Sequence, residues 1–318
     1  MHNILITGGC GFIGSNLAKE YVKRDCPVVI LDNLVTGKID NIGSIIANPL
    51  CKFVCKDISQ VNLVELFEKH HINIVHHFAA RPRVKYSVDY PLDTNEQNIT
   101  NTLRILEAAR HTNIKRVIYS ASSSAYGNTD VFPTHEKVAT NPRSPYALQK
   151  FVGEEYCRLF SELYQLDTVS LRYFNVFGIN SFADSQYSAV IPIFIEQIYN
   201  NQPLTIDGAG EQSRDFTYVD NVVEANILAA SCADKLNGTV INCACGNNIS
   251  INHLADRLMQ ILNKKVEKTY RESRAGDVLK THADISKARS LLNYSPIVNF
   301  DAGLRLTVEW YLSYLKNR

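Results

Sequence analysis

The chain has 318 residues, enough for one large domain or two closely packed ones whose hydrophobic core needs no disulfide or metal staple. Its 33 lysines and arginines nearly balance its 32 aspartates and glutamates, so its charge gives no indication of binding to nucleic acid or to an anionic membrane surface. Neither Cys51 and Cys55 nor Cys243 and Cys245 has the C-x-x-C spacing of a zinc site. We expect no metal, reduced and mostly buried cysteines, and a cytoplasmic protein without a signal peptide or a membrane span.

The first predicted strand, residues 4–7, ends in a cluster of glycines, and apolar residues recur at helical spacing from Leu17 onward. The glycines fit two overlapping patterns, one starting at Gly8 and one at Gly9, and both patterns end at Gly14. Either pattern leaves backbone without side chains where the pyrophosphate of a dinucleotide approaches the N-terminus of a helix. The stretch therefore predicts a strand, a tight turn and a helix that together bind a dinucleotide.

A second apolar run, residues 28–31, ends in Asp32. Its spacing from the glycines is that of the carboxylate that binds a ribose 2′-hydroxyl in dinucleotide-binding folds. A 2′-phosphate would be repelled by this carboxylate. Asp32 therefore indicates NAD rather than NADP.

Strands and helices then alternate as far as residue 173, which is the pattern of a parallel sheet wrapped by helices. The predicted strands are residues 52–55, 72–78, 116–119 and 166–173, and the predicted helices are 61–70, 93–111 and one that carries Tyr146, with helix-like residues also between the loop 33–41 and Ala47. Asp57 and Ile58 are placed to line the adenine of the cofactor. Ala79 and Ala80 have small side chains, which leave space where the cofactor would lie.

The regular alternation fails from about residue 175, where prolines, a glycine turn and shorter elements predict a smaller lobe over the sheet. A helix at 219–233 and a strand at 239–242 then return to the main domain. We predict a doubly wound parallel sheet of the Rossmann type with a smaller α/β C-terminal substrate domain. The predicted NAD-binding domain is 1–175 with 217–242 returning to it, and the predicted substrate domain is 176–216 with 243–318.

The predicted chemistry centres on Tyr146 and Lys150, which lie one turn apart on the same helix face. The lysine, together with the positive nicotinamide ring, would lower the pKa of the phenol from about 10 towards the working pH, so that Tyr146 acts as a general base. Ser122, at the end of a predicted strand, is expected to share a hydrogen bond with the same substrate hydroxyl.

These residues resemble the extended short-chain dehydrogenase/reductase superfamily, and within it the NAD-dependent nucleotide-sugar 4-epimerases. The branch with the greatest resemblance is the UDP-N-acetylglucosamine 4-epimerases. The resemblance covers nearly the whole chain. The motifs that carry it are TGGCGFIG from Thr7, LDN from Leu31, SSSAYG from Ser122, YALQK from Tyr146, RYFNVFG from Arg172, AVIP from Ala189, SRDFTYVD from Ser213 and RESRAGD from Arg271.

The resemblance implies a role for each of the following residues. The catalytic residues are Ser122, Tyr146 and Lys150. The residues implied to contact NAD are Gly8, Gly11, Phe12, Ile13, Gly14, Asp32, Asn33, Asp57, Ile58, Ala79, Ala80, Asn98, Tyr146, Lys150 and Tyr173. The residues implied to contact the UDP-sugar are Ser122, Ser123, Ser124, Asn175, Ala189, Val190, Thr205, Arg214, Arg274, Asp277 and Thr281. Among these, Ser123 and Ser124 would bond the sugar, Asn175, Arg214 and Arg274 the diphosphate, and Asp277 the uridine ribose.

The implied reaction is epimerisation at C4 of the sugar. Tyr146 would remove the proton of the 4-hydroxyl while a hydride leaves C4, and the resulting 4-keto sugar would turn its other face before the hydride returns. In the family a tyrosine at the position of Thr281 excludes N-acetyl groups, so the threonine predicts UDP-GlcNAc and UDP-GalNAc as substrates, with UDP-glucose and UDP-galactose as additional ones.

Arg83 departs from the family pattern, which has small residues after the alanine pair. It would point outward, as most arginines do, clash with the sugar, or pair with the carboxylate of a uronic acid. The alternative functions are therefore a UDP-uronic-acid 4-epimerase and, more weakly, a decarboxylase or 4,6-dehydratase, since Ser123 and Ser124 stand where those enzymes carry carboxylates. A non-catalytic NAD-binding protein is disfavoured because Tyr146 and Lys150 are both present.

The family also implies a homodimer, formed through the helices 93–111 and 146–163.

Overall fold

The computed structural model describes residues 2–183, 189–272 and 278–316. The described strands are β1 (Ile4–Thr7), β2 (Val28–Asp32), β3 (Cys51–Cys55), β4 (Ile74–His77), β5 (Arg116–Ser122), β6 (Thr168–Tyr173), β7 (Val176–Phe177), β8 (Leu204–Asp207), β9 (Ser213–Arg214), β10 (Thr217–Tyr218), β11 (Thr239–Cys243), β12 (Ile249–Ser250) and β13 (Lys268–Arg271).

The described α-helices are α1 (Phe12–Lys23), α2 (Leu63–Lys69), α3 (Val84–Asp89), α4 (Pro91–Asn95), α5 (Asn101–Arg110), α6 (Pro145–Tyr164), α7 (Val190–Tyr199), α8 (Val219–Ser231), α9 (Ile251–Leu262), α10 (Ser286–Leu292) and α11 (Phe300–Lys316). Short 3₁₀ helices cover Ile39–Ile42, Ile58–Gln60 and Ser123–Tyr126, and a π-helical segment covers Glu96–Thr100. No helix in the described ranges has both the length and the apolar character that crossing a membrane requires.

The main sheet has the order β3-β2-β1-β4-β5-β6-β11, and its strand pairs are all parallel within the described residues. In register, Ile6 of β1 lies between Ile30 of β2 and His76 of β4. The strand order reverses at β1, so the connections that follow β1 and β4 leave towards opposite faces of the sheet and open a crevice for a ligand. This doubly wound sheet is the fold that the sequence predicts.

Helices cover both faces of the sheet, which is why its strands read as apolar runs rather than as alternating patterns. One face packs against α1, α8 and α10, and the other packs against α2, α5 and α6. A third hydrophobic cluster lies in the second lobe, where α7, α9 and α11 surround β8. The segment 283–294 was predicted to lie in the substrate domain, but its buried residues pack with the first cluster of the main sheet.

Two predicted helices differ in detail from the structure. The predicted helix 93–111 is a succession of α4, the π-helical segment and α5. Its apolar positions are compatible with a regular helix, so periodicity gave no signal of the wide turn. The helix-like stretch before Ala47 contains only the 3₁₀ helix Ile39–Ile42, followed by turns.

Candidate active site

The turn between β1 and α1 has no room for side chains. Gly8 has φ +68°, and a Cβ built there would lie 2.7 Å from the backbone nitrogen of Ala79. A Cβ at Gly14 would lie 2.5 Å from the carbonyl oxygen of Gly8. Gly11 is the N-cap of α1 and provides no side-chain cap, so the first turn of the helix leaves its amide donors for another acceptor. This cradle fits the pyrophosphate of a dinucleotide.

Asp32 ends β2 beside the glycine turn. Its Oδ2 accepts a hydrogen bond from the amide of Cys10 (2.9 Å), and its Oδ1 accepts one from the amide of Leu34 (2.8 Å). Burial raises the pKa of the Asp32 carboxyl, and the two amide hydrogen bonds oppose that rise. The carboxylate is thus fixed in orientation, as recognition of a ribose hydroxyl requires.

A cavity of about 850 Å³ runs along the carboxyl ends of the strands. It is lined by fourteen of the fifteen residues predicted to contact the cofactor: Gly8, Gly11, Phe12, Ile13, Gly14, Asp32, Asn33, Asp57, Ile58, Ala79, Ala80, Tyr146, Lys150 and Tyr173. Within it, Asn33 Nδ2 donates to Asp57 Oδ2 (2.7 Å), which joins the ends of β2 and β3 at the predicted adenine end. The structure therefore brings segments far apart in the sequence into one dinucleotide-sized site.

Asn98 is the predicted cofactor residue that does not line this cavity. It is buried in the π-helical segment, where its Oδ1 accepts from the amide of Arg81 (2.7 Å) and its Nδ2 donates to Gln149 Oε1 (2.8 Å). Its side chain is occupied in joining the loop after β4 to α6. The sequence could not show this because the wide helical turn that directs Asn98 inward leaves no mark in the apolar periodicity.

Ser122 and Tyr146 meet in the cavity. Ser122 ends β5, and Tyr146 lies in the first turn of α6, whose N-cap Ser144 accepts a hydrogen bond from the amide of Ala147 (3.1 Å). Ser122 Oγ accepts hydrogen bonds from Ser124 Oγ (2.8 Å) and from the amide of Ser124 (3.2 Å). Because both bonds use its lone pairs, the hydrogen of Ser122 is left for the oxygen of Tyr146.

The surroundings of the Tyr146 phenol act on its pKa in two directions. Burial raises the pKa of the phenol, and the hydrogen bond from Ser122 opposes that rise. The ammonium of Lys150, one turn further along α6, donates to the carbonyl oxygen of Ser120 (2.7 Å). Burial also lowers the pKa of Lys150 to about 8, against the opposing charge of Glu154. In this structure the hydrogen bond from Ser122 therefore favours the phenolate form of Tyr146.

A second cavity of about 460 Å³ lies in the smaller lobe. It is lined by five of the residues predicted to contact substrate: Asn175, Ala189, Val190, Thr205 and Arg214. The two cavities share Asn175, Val176 and Ala189, so they meet at the end of β6 and at β7. A ligand anchored in the second cavity would have its free end directed towards Tyr146.

The remaining predicted substrate residues line neither cavity or lie outside the described residues. Ser123 and Ser124 form the 3₁₀ turn behind Ser122. Thr281 Oγ1 donates to Asn175 Oδ1 (3.1 Å) and accepts from the amide of Asp215 (3.0 Å), so it supports the junction of the cavities from behind. Arg274 and Asp277 lie outside the described residues.

The loop after β4 also differs from expectation. Arg83 is half-buried and lines the first cavity together with Arg81 and Pro82, rather than pointing outward. The loop is fixed beside the predicted base because Ser87 Oγ, in α3, accepts a hydrogen bond from the amide of Tyr146 (3.0 Å). The lining of the cavity that holds Tyr146 therefore includes two guanidinium groups, and that of Arg81 pairs with Asp93 (Nε to Oδ2, 3.3 Å).

Sequence reasoning missed several lining residues. Lys38, in the loop after β2, has its Nζ 3.7 Å from the ring centroid of Phe182, and both residues line the first cavity. Arg271 lines the second cavity and forms an ion pair with Asp207. Arg271 opens the RESRAGD motif and was therefore accessible from the sequence. The contact between Lys38 and Phe182 was not, because the two residues come from separate lobes.

Comparison with known proteins agrees with this geometry. Residues 4–244 match the model of the NAD dependent epimerase/dehydratase family. The chain is 36% identical to a putative UDP-glucose 4-epimerase of Methanocaldococcus jannaschii, over 96% of this chain and 97% of that protein.

Two solved structures are similar along nearly the whole chain. A UDP-N-acetylglucosamine 4-epimerase from Methanobrevibacter ruminantium, in complex with UDP-N-acetylmuramic acid, has a TM-score of 0.94 at 38% identity and covers 98% of this chain and 99% of that one. A UDP-glucuronic acid 4-epimerase from Bacillus cereus, in complex with UDP-glucuronic acid and NAD, has a TM-score of 0.92 at 33% identity with the same coverage. With its dinucleotide cradle and its Ser122–Tyr146 pair, the chain therefore belongs to the NAD-dependent epimerase/dehydratase family of extended short-chain dehydrogenase/reductases and is an NAD-dependent isomerase.

Proposed function

We propose that this enzyme interconverts the C4 epimers of a UDP-hexose, with UDP-GlcNAc and UDP-GalNAc as its preferred pair and UDP-glucose and UDP-galactose as additional substrates. The observation that carries the proposal is the meeting of the two cavities at Asn175, with Tyr146 and Ser122 on one side and Arg214 on the other. This arrangement suits a ligand that is held by its nucleotide and reacts at its sugar.

In the proposed mechanism, Tyr146 is the base that takes the proton of the sugar 4-hydroxyl and later returns it. Ser122 donates its hydrogen to the phenolate oxygen, because its lone pairs already accept from Ser124. Lys150, held by the carbonyl of Ser120, adds positive charge to the floor of the cavity. Bound NAD supplies the acceptor and donor of the hydride at C4.

Anchoring of the nucleotide is assigned to the second cavity. Arg214 and Arg271 offer forked donors suited to the oxygens of a diphosphate. Phe177 and Phe216 form apolar walls that suit a base and keep water from the ribose. Firm contacts here would let the sugar turn over in the first cavity while the UDP stays bound.

The preference for N-acetylated sugars is assigned to the small side chain of Thr281. Its hydroxyl is engaged by Asn175 and Asp215, so it stays behind the junction of the cavities rather than filling it. Space at the junction suits an acetamide group. The similar structure from Methanobrevibacter ruminantium is a complex with UDP-N-acetylmuramic acid, which supports this preference.

The proposal is tested by incubating the purified protein with a panel of UDP-hexoses and resolving the products. We expect interconversion of UDP-GlcNAc and UDP-GalNAc without added reductant. Tyr146→Phe should lower turnover by a factor of about 10² to 10⁴, because it removes the acid/base group, and should leave UDP affinity unchanged. Wild-type turnover in the Phe variant would contradict the assignment of the base.

A second candidate is a UDP-uronic-acid 4-epimerase. It is favoured by Arg83, which lines the first cavity near Tyr146 and would pair with a C6 carboxylate. The same panel distinguishes the two candidates. Conversion of UDP-glucuronate with no conversion of UDP-GlcNAc would replace the first proposal by the second.

We also propose a homodimer through the helical region 93–111 and α6. Leu92, which directly precedes that region, is 86% exposed, and Leu163 on α6 is 66% exposed, so both helices have exposed apolar surface beside or on them. Light scattering at micromolar concentration should give twice the mass of the chain. Leu163→Glu should reduce that mass to one chain, and a monomeric wild type would contradict the proposal.

A further inference from the structure

His77 is a buried histidine that the proposed chemistry does not use. It is the last residue of β4, and its side chain lies between the glycine turn and α5, with 1% of the residue exposed. Its Nδ1 is 2.7 Å from Thr7 Oγ1, and its Nε2 is 3.0 Å from Thr102 Oγ1. Both ring nitrogens therefore have one partner each.

The hydrogen bonds on the two sides of the ring favour one tautomer. Thr102 Oγ1 donates its hydrogen to the carbonyl oxygen of Asn98 (2.8 Å), so it must accept from His77 Nε2–H. In a neutral ring Nδ1 is then an acceptor, and it receives the hydrogen of Thr7 Oγ1. Thr7 Oγ1 in turn accepts from the amide of Ala79 (3.3 Å). Burial lowers the pKa of His77 to about 3, which agrees with a neutral ring.

This chain of hydrogen bonds joins two walls of the cofactor cavity. Thr7 directly precedes Gly8, and Ala79 lies against Gly8 so closely that a Cβ on the glycine would be 2.7 Å from the Ala79 nitrogen. Both Gly8 and Ala79 line the cavity. A fixed spacing between them determines the width of the cradle.

The other end of the chain reaches the helix that carries the proposed base. Asn98, which receives the bond from Thr102, also bonds the amide of Arg81 and the side chain of Gln149. Gln149 lies between Tyr146 and Lys150 in α6. The ring of His77 thus stands at the centre of a network that links the glycine turn, the loop after β4 and α6.

We infer that His77, neutral and protonated on Nε2, is a positioning residue that holds the glycine turn and the Ala79 loop at the spacing that NAD requires. The inference concerns NAD binding and does not depend on which sugar is the substrate. According to this inference, NAD affinity depends on the hydrogen-bond acceptor at His77 Nδ1 and not on the volume of the imidazole ring.

Two substitutions of His77 distinguish the role of Nδ1 from that of Nε2. His77→Asn places an amide oxygen near the position of Nδ1 and keeps the acceptor for Thr7, whereas His77→Gln places an amide nitrogen near Nε2 and keeps only the donor to Thr102. Calorimetric titration of the nucleotide-free full chain with NAD⁺ should give an affinity about tenfold lower for the Gln variant, and within threefold of wild type for the Asn variant. Equal affinities in wild type and the Gln variant would overturn the inference.

Ser161→Ala is the control for a general loss of stability. Ser161 is buried at the far end of α6, bonding the carbonyl of Leu166 and the amide of Thr168, and it touches neither cavity. We expect it to lower the urea midpoint while NAD⁺ affinity stays at the wild-type value. UDP, titrated separately, should bind all three variants as it binds wild type, and a parallel loss of NAD⁺ and UDP affinity in the Gln variant would point to unfolding and overturn the positioning role.

Nitrogen NMR of the wild-type protein tests the tautomer even if the variants do not fold. With ¹⁵N-labelled histidine, His77 should show a protonated Nε2 and a pyridine-type Nδ1 at neutral pH, both perturbed on addition of NAD⁺. A protonated Nδ1, or signals unchanged by saturating NAD⁺, would refute the inference.

Discussion

The hydroxyl of Ser124 illustrates how a residue that misses the cavity can still act on the reaction. It donates to Ser122 Oγ at 2.8 Å, and this bond frees the hydrogen of Ser122 for Tyr146. The resemblance assigns Ser124 to the sugar; in the structure its hydroxyl bonds Ser122, and Ser124 lines neither cavity. Its effect on the phenol is therefore indirect.

We predict that Ser124→Ala lowers turnover about fivefold, which corresponds to one neutral hydrogen bond of about 1 kcal/mol. Because Ser122 would then bond the phenolate less firmly, the pKa of Tyr146 should rise and the acid limb of the pH–rate profile should move to higher pH. Ser124→Thr keeps the hydroxyl and should restore the profile. A profile identical in the Ala variant and the wild type would contradict this role.

At the scale of elements, the buried side chain of Arg116 connects β5, β6 and α8. Arg116 begins β5, and its Nε donates to Asp167 Oδ2 (2.6 Å) just before β6. Its Nη1 donates to the carbonyl of Ala229 (2.6 Å) near the C-terminus of α8, and its Nη2 to that of Asp234 (2.7 Å). The guanidinium therefore donates to carbonyl groups at the C-terminal end of α8 and in the loop just after it.

We predict that Arg116→Met lowers the free energy of unfolding by about 3–5 kcal/mol, because it leaves the buried carboxylate of Asp167 without its counter-ion and several carbonyls without a donor. Urea titration followed by circular dichroism measures the loss. Arg158→Met is the matched control, since Arg158 is exposed in α6, and its pairs with Glu155 and Glu162 should be worth less than about 1 kcal/mol each. Equal losses in the two variants would contradict the argument.

The elements also show which features of the fold and of the site can be predicted from the sequence. The glycine turn, Asp32 and the pair Tyr146 and Lys150 were predictable because each depends on local spacing. The roles of Arg116 and His77 were not, since their partners come from segments far away in the sequence. The return of 283–294 to the first core was missed for the same reason, as apolar periodicity tells which face of a helix is buried but not against which lobe.

At the scale of the whole molecule, the buried groups His76, His77 and Asp215 are among those that bind protons differently in the folded and unfolded states. Burial lowers the pKa of His76 and of His77 to about 3, so the unfolded chain takes up these protons first as the pH falls and stability is lost below about pH 6.5. Burial raises the pKa of Asp215 to about 6, so the folded state takes up that proton first and gains stability between about pH 6 and 4.

Each group contributes a slope of about 1.4 kcal/mol per pH unit, so the two histidines outweigh the aspartate and the three together lower stability by about 1.4 kcal/mol per unit between pH 6 and 4. We predict that the His77→Asn variant has a slope smaller than wild type by about 1.4 kcal/mol per unit. Urea titrations at pH 4.5, 5.5 and 6.5 measure the difference. Parallel slopes for the two proteins would show that His77 is charged in the folded state.

The π-helical segment Glu96–Thr100 has a consequence for how this protein tolerates change in length. The wide turn accommodates one residue more than an α-helix of the same rise. Asn98, within it, bonds Gln149 of α6, and Thr102, just after it, bonds His77 of β4. Deleting a single residue there would restore regular winding but rotate all that precedes it by about 100° relative to α5. Asn98 would then turn away from α6 and from the loop after β4. A chain of this family with a shorter helix here would need other residues to hold its glycine turn and that loop in position.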